Sequence, residues 1–497
     1  MHFYPSPRMI EKAAGVARSK AIEGASLTTL GLTREGAVAL HEAVHGRVVF
    51  PWDPDYPKAR SGFNAGYEEY PQAIAYCVSP GDVRACLDWA RGQGWKVACR
   101  SGGHSYANYS VNNGLVVDVS ALNDVSVDPV AKTAKVGAGT SYEKLLAVLE
   151  WHGLNLPAAA APTVAIAGYM MGGGYGFTSR EYGMNCDCVL EATLMLADGS
   201  VVVASPTQHQ ELFWAIRGGT GNNFGVLLEV TFQLFDLTQV WGFRYQWSED
   251  VAVDVLTKVQ ESYTKTADDR LGYLAGLVQQ DSTSPPVVLM MGMFHGSREE
   301  GLKVLGELLA IGEPVTQVDR VGSYLVMNTM VMSVPYGIPT QPMPMPGFSS
   351  LSRVVTRPIA REAWEGVLAE LKKTPSFGNY LCIEPYGGAI NRRAGDFNAW
   401  SHRDGYMNVV SCAYWMTPGG GPDTRWLVEF MAPLEPFSDG KSYQNYPSRM
   451  DEDFAHRYWS EGTLERLSLT RKAYDPQELF RFQQSIPGPF GGAAKAG

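Results

Sequence analysis

The alternation of apolar and polar positions divides the chain into two regions with different rhythms. From about residue 69, helix-like and strand-like segments take turns. SPGDVRACLDWARGQG (79–94) predicts a helix, with Ser79 near its start and Gly92 and Gly94 at its end. WKVACRSGG then predicts a short buried strand running into a glycine turn. GLVVDVSAL, DVSVDP and KTAKVGAG predict further strands, and SYEKLLAVLEWHG a helix capped by Ser141. From residue 238 longer strands dominate. QVWGFRYQWSEDVAVDVLTKVQESY predicts strand then helix, LGYLAGLVQQ and PPVVLMMGMFHG two strands, and REEGLKVLGELLAIG one helix. The fold class expected is α+β, with mixed sheets in the first region.

With 497 residues the chain is too long for one core, so two or more domains are expected. The 53 glycines and 30 prolines are spread along it, which suits tight turns. A net charge of −10 with no Lys/Arg block argues against a nucleic-acid partner. The amino terminus has no apolar signal core, and LPAAAAPTVAIAGYMMGGGYG is broken by Pro157, Pro162 and glycines, so no spanning helix is expected there. The expectation is a soluble, cytoplasmic protein. Seven cysteines are an odd number, and Cys186 and Cys188 form CDC, not CxxC, so reduced buried thiols are expected. HEAVH (41–45) matches the HExxH zinc pattern, but it lies in a short helix opened by Thr33 and no third ligand follows, so a zinc site is rejected.

Three glycine clusters carry the candidate chemistry: RSGGHSYANYS (100–110), AGYMMGGGYGFTSREYG (167–183) and RGGTGNNFGVLLEVTF (217–232). None is a dinucleotide fingerprint. In GTGNNF the third glycine position holds Phe224, and the order is helix, cluster, strand, the reverse of a Rossmann turn. A P-loop is absent. Small-residue loops still admit a long ligand, since their N–H groups can cradle a pyrophosphate.

RSGGHSY, GGGYG, ELFWAIRGGTGNNFG, SYQNYPS and YDPQELFRFQQSIP follow one another in the order seen in the berberine bridge enzyme-like branch of the vanillyl-alcohol oxidase flavoproteins, the PCMH-type FAD-linked oxidases. The chain resembles that branch from about residue 50 to 488. The resemblance implies an N-terminal helical segment (1–68) packed on a PCMH-type FAD-binding domain (69–237). It also implies a second α+β domain for the substrate (238–436), an antiparallel sheet backed by helices, and a C-terminal segment (437–497) returning to the FAD domain. It implies FAD joined through its 8α-methyl carbon to His104. Arg100, Ser101, Gly102, Gly103, Ser105 and Tyr106 would line the flavin, with Pro162, Thr163, Val164, Gly168, Gly172, Gly173, Gly174, Gly176, Gly225, Val226, Asn445 and Tyr446. Many members carry a second, cysteinyl tether where this chain has Ala161, so a single histidyl link is expected. A valine at 164 goes with oxygen access in the family.

The base candidates are Tyr443, then Tyr175, then Tyr414. Met416 stands where some relatives have a catalytic carboxylate, and Glu384 in IEPYGG reads first as a structural carboxylate. The Pro- and Met-rich stretch 333–350 is expected to be a loop, either a lid or a connector. With Phe397, Trp400, Tyr406 and Trp415 it favours an aromatic substrate. The function expected is an FAD-dependent oxidase of a hydroxylated, natural-product-like small molecule, with O2 as acceptor and H2O2 as product. The alternatives are a carbohydrate oxidase and a flavin-dependent oxygenase or rearrangement enzyme. Oligomeric state is not legible.

Overall fold

The computed structural model describes residues 32–279, 283–332, 346–376, 378–415 and 424–488. Local chemistry sets its elements. The Ser79 hydroxyl accepts from the backbone N–H of Asp82, and Gly94 closes the helix Pro80–Gln93 in the left-handed region at φ +71°. Ser141 caps Tyr142–Glu150 in the same way, and Thr33 caps Arg34–Ala43. That last helix ends before His45, which lies past the extended C-cap Val44 and bonds through Nδ1 to Asp82 at 3.1 Å. The two histidines of HEAVH therefore do not share a helix face. Among the described residues no His/Cys/Asp/Glu group could hold a metal, and no helix is long and apolar enough to cross a membrane.

Strands β1 (Arg47–Val49), β2 (Ala73–Tyr76), β3 (Val97–Arg100) and β4 (Leu115–Asp118) form a sheet in the order β1-β2-β4-β3. Only β1 is antiparallel in it. The C-terminal segment returns to this sheet, where Phe480 bridges Val97. The chain continues through β5 (Val125–Asp128), β6 (Thr133–Gly137), β7 (Leu154–Asn155), β8 (Val189–Met195), β9 (Val201–Ala204), β10 (Val226–Gln233) and β11 (Phe235–Asp236). Of these, β5-β6-β10-β8-β9 make an antiparallel sheet and β7 pairs with β11.

The second region is one seven-stranded antiparallel sheet in the order β15-β12-β14-β13-β17-β18-β16. Its strands are β12 (Val240–Ser248), β13 (Leu271–Gln279), β14 (Val287–Phe294), β15 (Thr316–Gly322), β16 (Gly347–Val355), β17 (Asn379–Pro385) and β18 (Met407–Trp415). Alternation gives it two faces. The outer face presents Trp241, Phe243, Tyr245, Trp247, Tyr273, Ile383 and Val409 to the helices Ala252–Lys258, Arg361–Leu371 and Thr424–Met431, forming one apolar core. From the inner face Val278, Leu289, Met291 and Met293 join the other large core, with Met170, Met171, Tyr175 and Phe177 of the glycine-rich region. The inner face is therefore pressed against the loops that carry the candidate chemistry.

Two expectations need amendment. The single helix predicted at 298–312 is split into Arg298–Val304 and Gly306–Leu309, breaking at Leu305, where ψ is near 1° before Gly306. Of the stretch 333–350, residues 333–345 lie outside the described residues, and Gly347 already opens β16. Met416 also lies outside the described residues.

Candidate active site between the glycine loops and the inner sheet face

Strand β3 delivers the first glycine turn. The Arg100 guanidinium is engaged at the root of this turn: Nε donates to Asp118 Oδ2 at 2.5 Å and Nη1 to the Ala59 carbonyl at 2.6 Å. Arg100 therefore holds the turn in place and does not point into a groove. Ser101 Oγ donates to the Ala138 carbonyl at 2.7 Å, and Ser105 Oγ accepts from the Tyr109 N–H at 3.0 Å. Gly103 takes φ +68°, which lets the chain reverse directly before His104. The imidazole stacks on Phe63 with ring centroids 4.6 Å apart, and Nε2 lies 2.9 Å from Thr163 Oγ1. Burial pushes its pKa down to about 4, so the ring is neutral at ordinary pH.

The second loop, Ala160–Val164, lies directly across. Pro162 and Val164 offer their carbonyls to the N–H groups of Glu143 and Tyr142, at 3.0 and 2.9 Å, which fastens this loop to the Ser141-capped helix. Gly102, Thr163 and Gly168 are the exposed positions here, and a Cβ built on Gly168 would meet nothing within 4 Å. The two loops meet edge to edge, with the neutral imidazole at their junction and a Cβ on Gly102 only 2.9 Å from the Ala165 nitrogen. These residues suit FAD: exposed backbone at Gly102 and Gly168 would admit close approach of the cofactor, and the neutral His104 ring would offer it a nucleophilic nitrogen. Ala161 lines this loop without a thiol, and Cys186 and Cys188 are free and buried elsewhere. Gly225 directly precedes β10, and Val226 opens it, pairing with Met195.

The third loop carries GGGYG. Gly173 has φ +125°, and a Cβ on it would come 2.6 Å from Trp400. A Cβ on Gly172 would overlap the amide of Asn445, and one on Gly176 the backbone of Ala158. The Gly174 N–H donates to Tyr443 Oη at 2.7 Å, and Asn445 Nδ2 donates to the same oxygen at 3.0 Å. Both bonds favour a phenolate, but burial and the nearby Glu384 outweigh them and raise the Tyr443 pKa well above its usual value. Tyr443 therefore keeps its proton. Tyr175 is raised likewise, and its hydroxyl donates to the Tyr273 carbonyl at 3.3 Å. Neither tyrosine is poised as a base.

The inner sheet face brings a further titratable group, Glu384, to the same region. Glu384 on β17 is 3% exposed. Its Oε1 accepts from the Tyr446 hydroxyl and its Oε2 from Asn408 Nδ2 at 2.9 Å. Burial raises the carboxyl to about 7, while the two donors hold it from going higher. A second set of bonds orients the pair. Ser352 Oγ donates to Asn408 Oδ1 at 2.7 Å and accepts from the Tyr443 N–H at 3.1 Å. Beside it, Tyr106 contacts Phe348 and Tyr446 at ring distances of 4.9 and 5.1 Å, and Tyr414 contacts Phe348 at 5.5 Å. Tyr380 and Cys382 line a cavity on the same face with Leu274, Met291 and Leu289.

The signal for this face was present as alternation: positions 380, 382 and 384 of β17 and 408, 412 and 414 of β18 point one way. The aromatics singled out from sequence are placed differently. Phe397 lies between the guanidinium groups of Arg217 and Arg393, at 5.0 and 4.9 Å. Tyr406 bonds the Gln260 carbonyl and joins the outer core, Trp415 packs on Gly66 and Gly347, and Trp400 is fully buried. Aromatic character at the site comes instead from Phe63, Tyr106, Phe348 and Tyr414.

Comparison with known proteins agrees with this geometry. Residues 71–205 match the family model of an FAD binding domain, and residues 442–487 the berberine and berberine-like model. The chain is 31% identical over 448 residues to the uncharacterized FAD-linked oxidoreductase YgaK of Bacillus subtilis, covering 89% of this chain and 97% of that one. It is 27% identical to the (R)-6-hydroxynicotine oxidase of Paenarthrobacter nicotinovorans, over 89% of this chain and 97% of the relative. Among solved structures, Physcomitrella patens BBE-like 1 superposes with a TM-score of 0.82 at 27% identity, covering 91% of this chain and 99% of that one. The chain belongs to the berberine bridge enzyme-like FAD-linked oxidoreductases, of the PCMH/vanillyl-alcohol oxidase fold.

Proposed function

We propose that the protein is an FAD-dependent oxidase of a small aromatic molecule bearing a hydroxyl group. The overall reaction converts one carbinol group, CH–OH, and one molecule of O2 into one carbonyl group and one molecule of hydrogen peroxide. FAD, when bound, accepts the hydride from the substrate carbon and returns the electron pair to O2. His104 is the one covalent tether in this reading, supported by its neutral ring at the junction of the two loops and by Ala161 at the position of a second link. The side chain of Val164 is half-buried and small, which suits access of O2.

The observation that carries the reading is the Glu384–Tyr446 pair. Loss of hydride from a carbinol carbon leaves a hydroxyl proton to be removed, and a base with a pKa near the working pH does this best. The substrate proton passes to the Tyr446 oxygen as the Tyr446 proton moves to Glu384. The substrate side is left uncharged, and the carboxylate is neutralised. Tyr443, with its oxygen already accepting twice, has its proton to give as a donor to the substrate or cofactor edge. Phe63, Tyr106, Phe348 and Tyr414 bind the aromatic body and exclude water.

The test begins with denatured, precipitated protein. A yellow pellet that becomes colourless in His104→Ala supports the tether, and flavin left in the supernatant of the wild type refutes it. Peroxide formed from aromatic alcohols but not from oligosaccharides supports the substrate class. The reverse preference would favour the carbohydrate reading, and oxygen from labelled O2 appearing in product would favour an oxygenase.

A further inference from the structure

One buried ion pair grips the GGGYG loop from both sides. Asp187 lies in the turn Asn185–Cys188, whose N–H groups hold the loop by its carbonyls: Cys186 N donates to Gly173 O and Asn185 N to Gly174 O, both at 2.8 Å. Arg403 belongs to the other side, a strap over residues 393–403 that leaves the sheet region and lies across the glycine-rich region. In that strap Ala399 N donates to the Trp214 carbonyl at 3.3 Å, and Trp214 Nε1 donates to the Asp396 carbonyl at 2.9 Å. The strap carries Trp400, which packs against Gly173, with its ring 6.4 Å from that of Tyr443.

Asp187 and Arg403 tie these two sides together. Arg403 Nη1 donates to Asp187 Oδ2 at 2.9 Å and Nη2 to Oδ1 at 2.6 Å, a bidentate pair in which both side chains are almost fully buried. Asn398 completes it: Nδ2 donates to Asp187 Oδ1 at 2.7 Å, and Oδ1 accepts from Arg403 Nη2 at 2.9 Å and from the Trp400 N–H at 3.2 Å. The guanidinium lies 4.6 Å over the Trp400 ring. Burial alone would raise the Asp187 carboxyl, but Arg403 and Asn398 hold it below its usual range, so the pair is ionised.

We infer that Asp187 and Arg403 are positioning residues for the reaction centre, fixing the Gly174 N–H and the buried Tyr443 hydroxyl through the turn on one side and Trp400 on the other. This rests on the oxidase reading, in which Tyr443 faces substrate and flavin. A buried pair contributes little net stability compared with apolar residues of similar volume, whereas a bidentate fork fixes geometry. Its value here is the placement of the loop.

The experiment separates placement from stability. Asp187→Leu/Arg403→Met replaces the pair by apolar side chains, and Arg403→Lys keeps the charge but not the fork. Each is compared with wild type for melting temperature and for flavin absorbance titrated from pH 6 to 11. In the wild type, burial and the nearby Glu384 hold the Tyr443 hydroxyl protonated well above the usual tyrosine range. The double variant is expected to melt near the wild type yet show a flavin titration moved to higher pH, since a displaced Gly174 N–H no longer favours the Tyr443 phenolate, and the difference disappears when Tyr443→Phe is added. Turnover with any substrate found should fall at least tenfold in kcat with little change in KM. A double variant with wild-type melting and an unchanged flavin titration overturns the inference, leaving the pair structural. Where the double variant does not fold, Arg403→Lys decides by the same readouts. Wild-type protein without flavin defeats the oxidase reading instead, and tyrosinate absorbance, with Tyr443→Phe as the control, still decides what the pair does.

Discussion

The two faces of the seven-stranded sheet come from the same strands and the same two-residue alternation, yet they hold different kinds of side chain. The outer face is a row of large apolar groups, Trp241, Phe243, Tyr245 and Trp247 on β12 and Ile383 and Val409 on β17 and β18, closed over by helices. The inner face carries Glu384, Asn408, Ser352, Cys382 and Cys412, all of them half-buried or fully buried. Burying polar groups is costly unless each finds a partner. Here Glu384, Asn408 and Ser352 form one connected chain that ends on the Tyr443 backbone. The outer face needs only volume and shape, while the inner face keeps a titratable group in a fixed direction. Substitutions on the two faces should therefore fail differently.

The largest effect on stability is expected from the outer face. Trp247→Ala removes a fully buried indole and should cost about 3–5 kcal/mol in denaturant unfolding, with flavin content and the pH profile of the folded fraction unchanged. The inner face should show the opposite. Glu384→Gln preserves volume and should lower kcat by about 10³-fold at pH 8 while the protein unfolds no more easily. A Glu384→Gln enzyme with full activity would remove Glu384 from the mechanism.

The same carboxyl gives the inner face a pH dependence opposite in sign to that of Asp319 on the outer face, whose pKa Arg298 and Trp241 hold below its usual range. The folded pKa of Glu384, about 7, lies above its ordinary value of 4.5. The folded state therefore binds the proton more tightly than the unfolded chain. Stability from this group is complete below pH 4.5, declines as pH rises, and is gone above about 7. The loss amounts to about 3 kcal/mol, the energy of that shift. Unfolding measured at pH 5 and 8 should show this decline in wild type and a smaller one in Glu384→Gln.

Much of this was legible in the chain because it depends on local chemistry. Ser79, Ser141 and Thr33 cap the helices they open, and Gly103 and Gly173 take the left-handed conformations their clusters imply. Five motifs in order pointed to the flavin family that the comparisons show. The environment of the base candidates was not legible, because a tyrosine's acidity depends on burial and on charges brought from distant segments. Glu384 gets its hydrogen bonds from Tyr446, 62 residues on, and from Asn408 across a strand pair. The aromatic positions misled for the same reason. Trp400 and Phe397 look like substrate contacts by composition, but the strap that holds them lies against the flavin region, where Trp400 meets Gly173 and Phe397 meets Arg217.

The smallest change sharpens the comparison most, because it touches one hydrogen bond on the inner face. The Tyr446 hydroxyl donates to Glu384 and favours its charged form, so this bond lowers a pKa that burial has raised. Tyr446→Phe removes the donor but leaves the ring against Tyr106 and Tyr443, at 5.1 and 5.4 Å. The carboxyl should then titrate higher, and the rising limb of kcat/KM against pH should move above 7. If the phenol also relays the substrate proton, kcat should fall about tenfold even on the alkaline plateau where Glu384 is ionised. A shifted limb with an undiminished plateau would make Tyr446 a tuning group only. A diminished plateau would make it the group through which the proton passes.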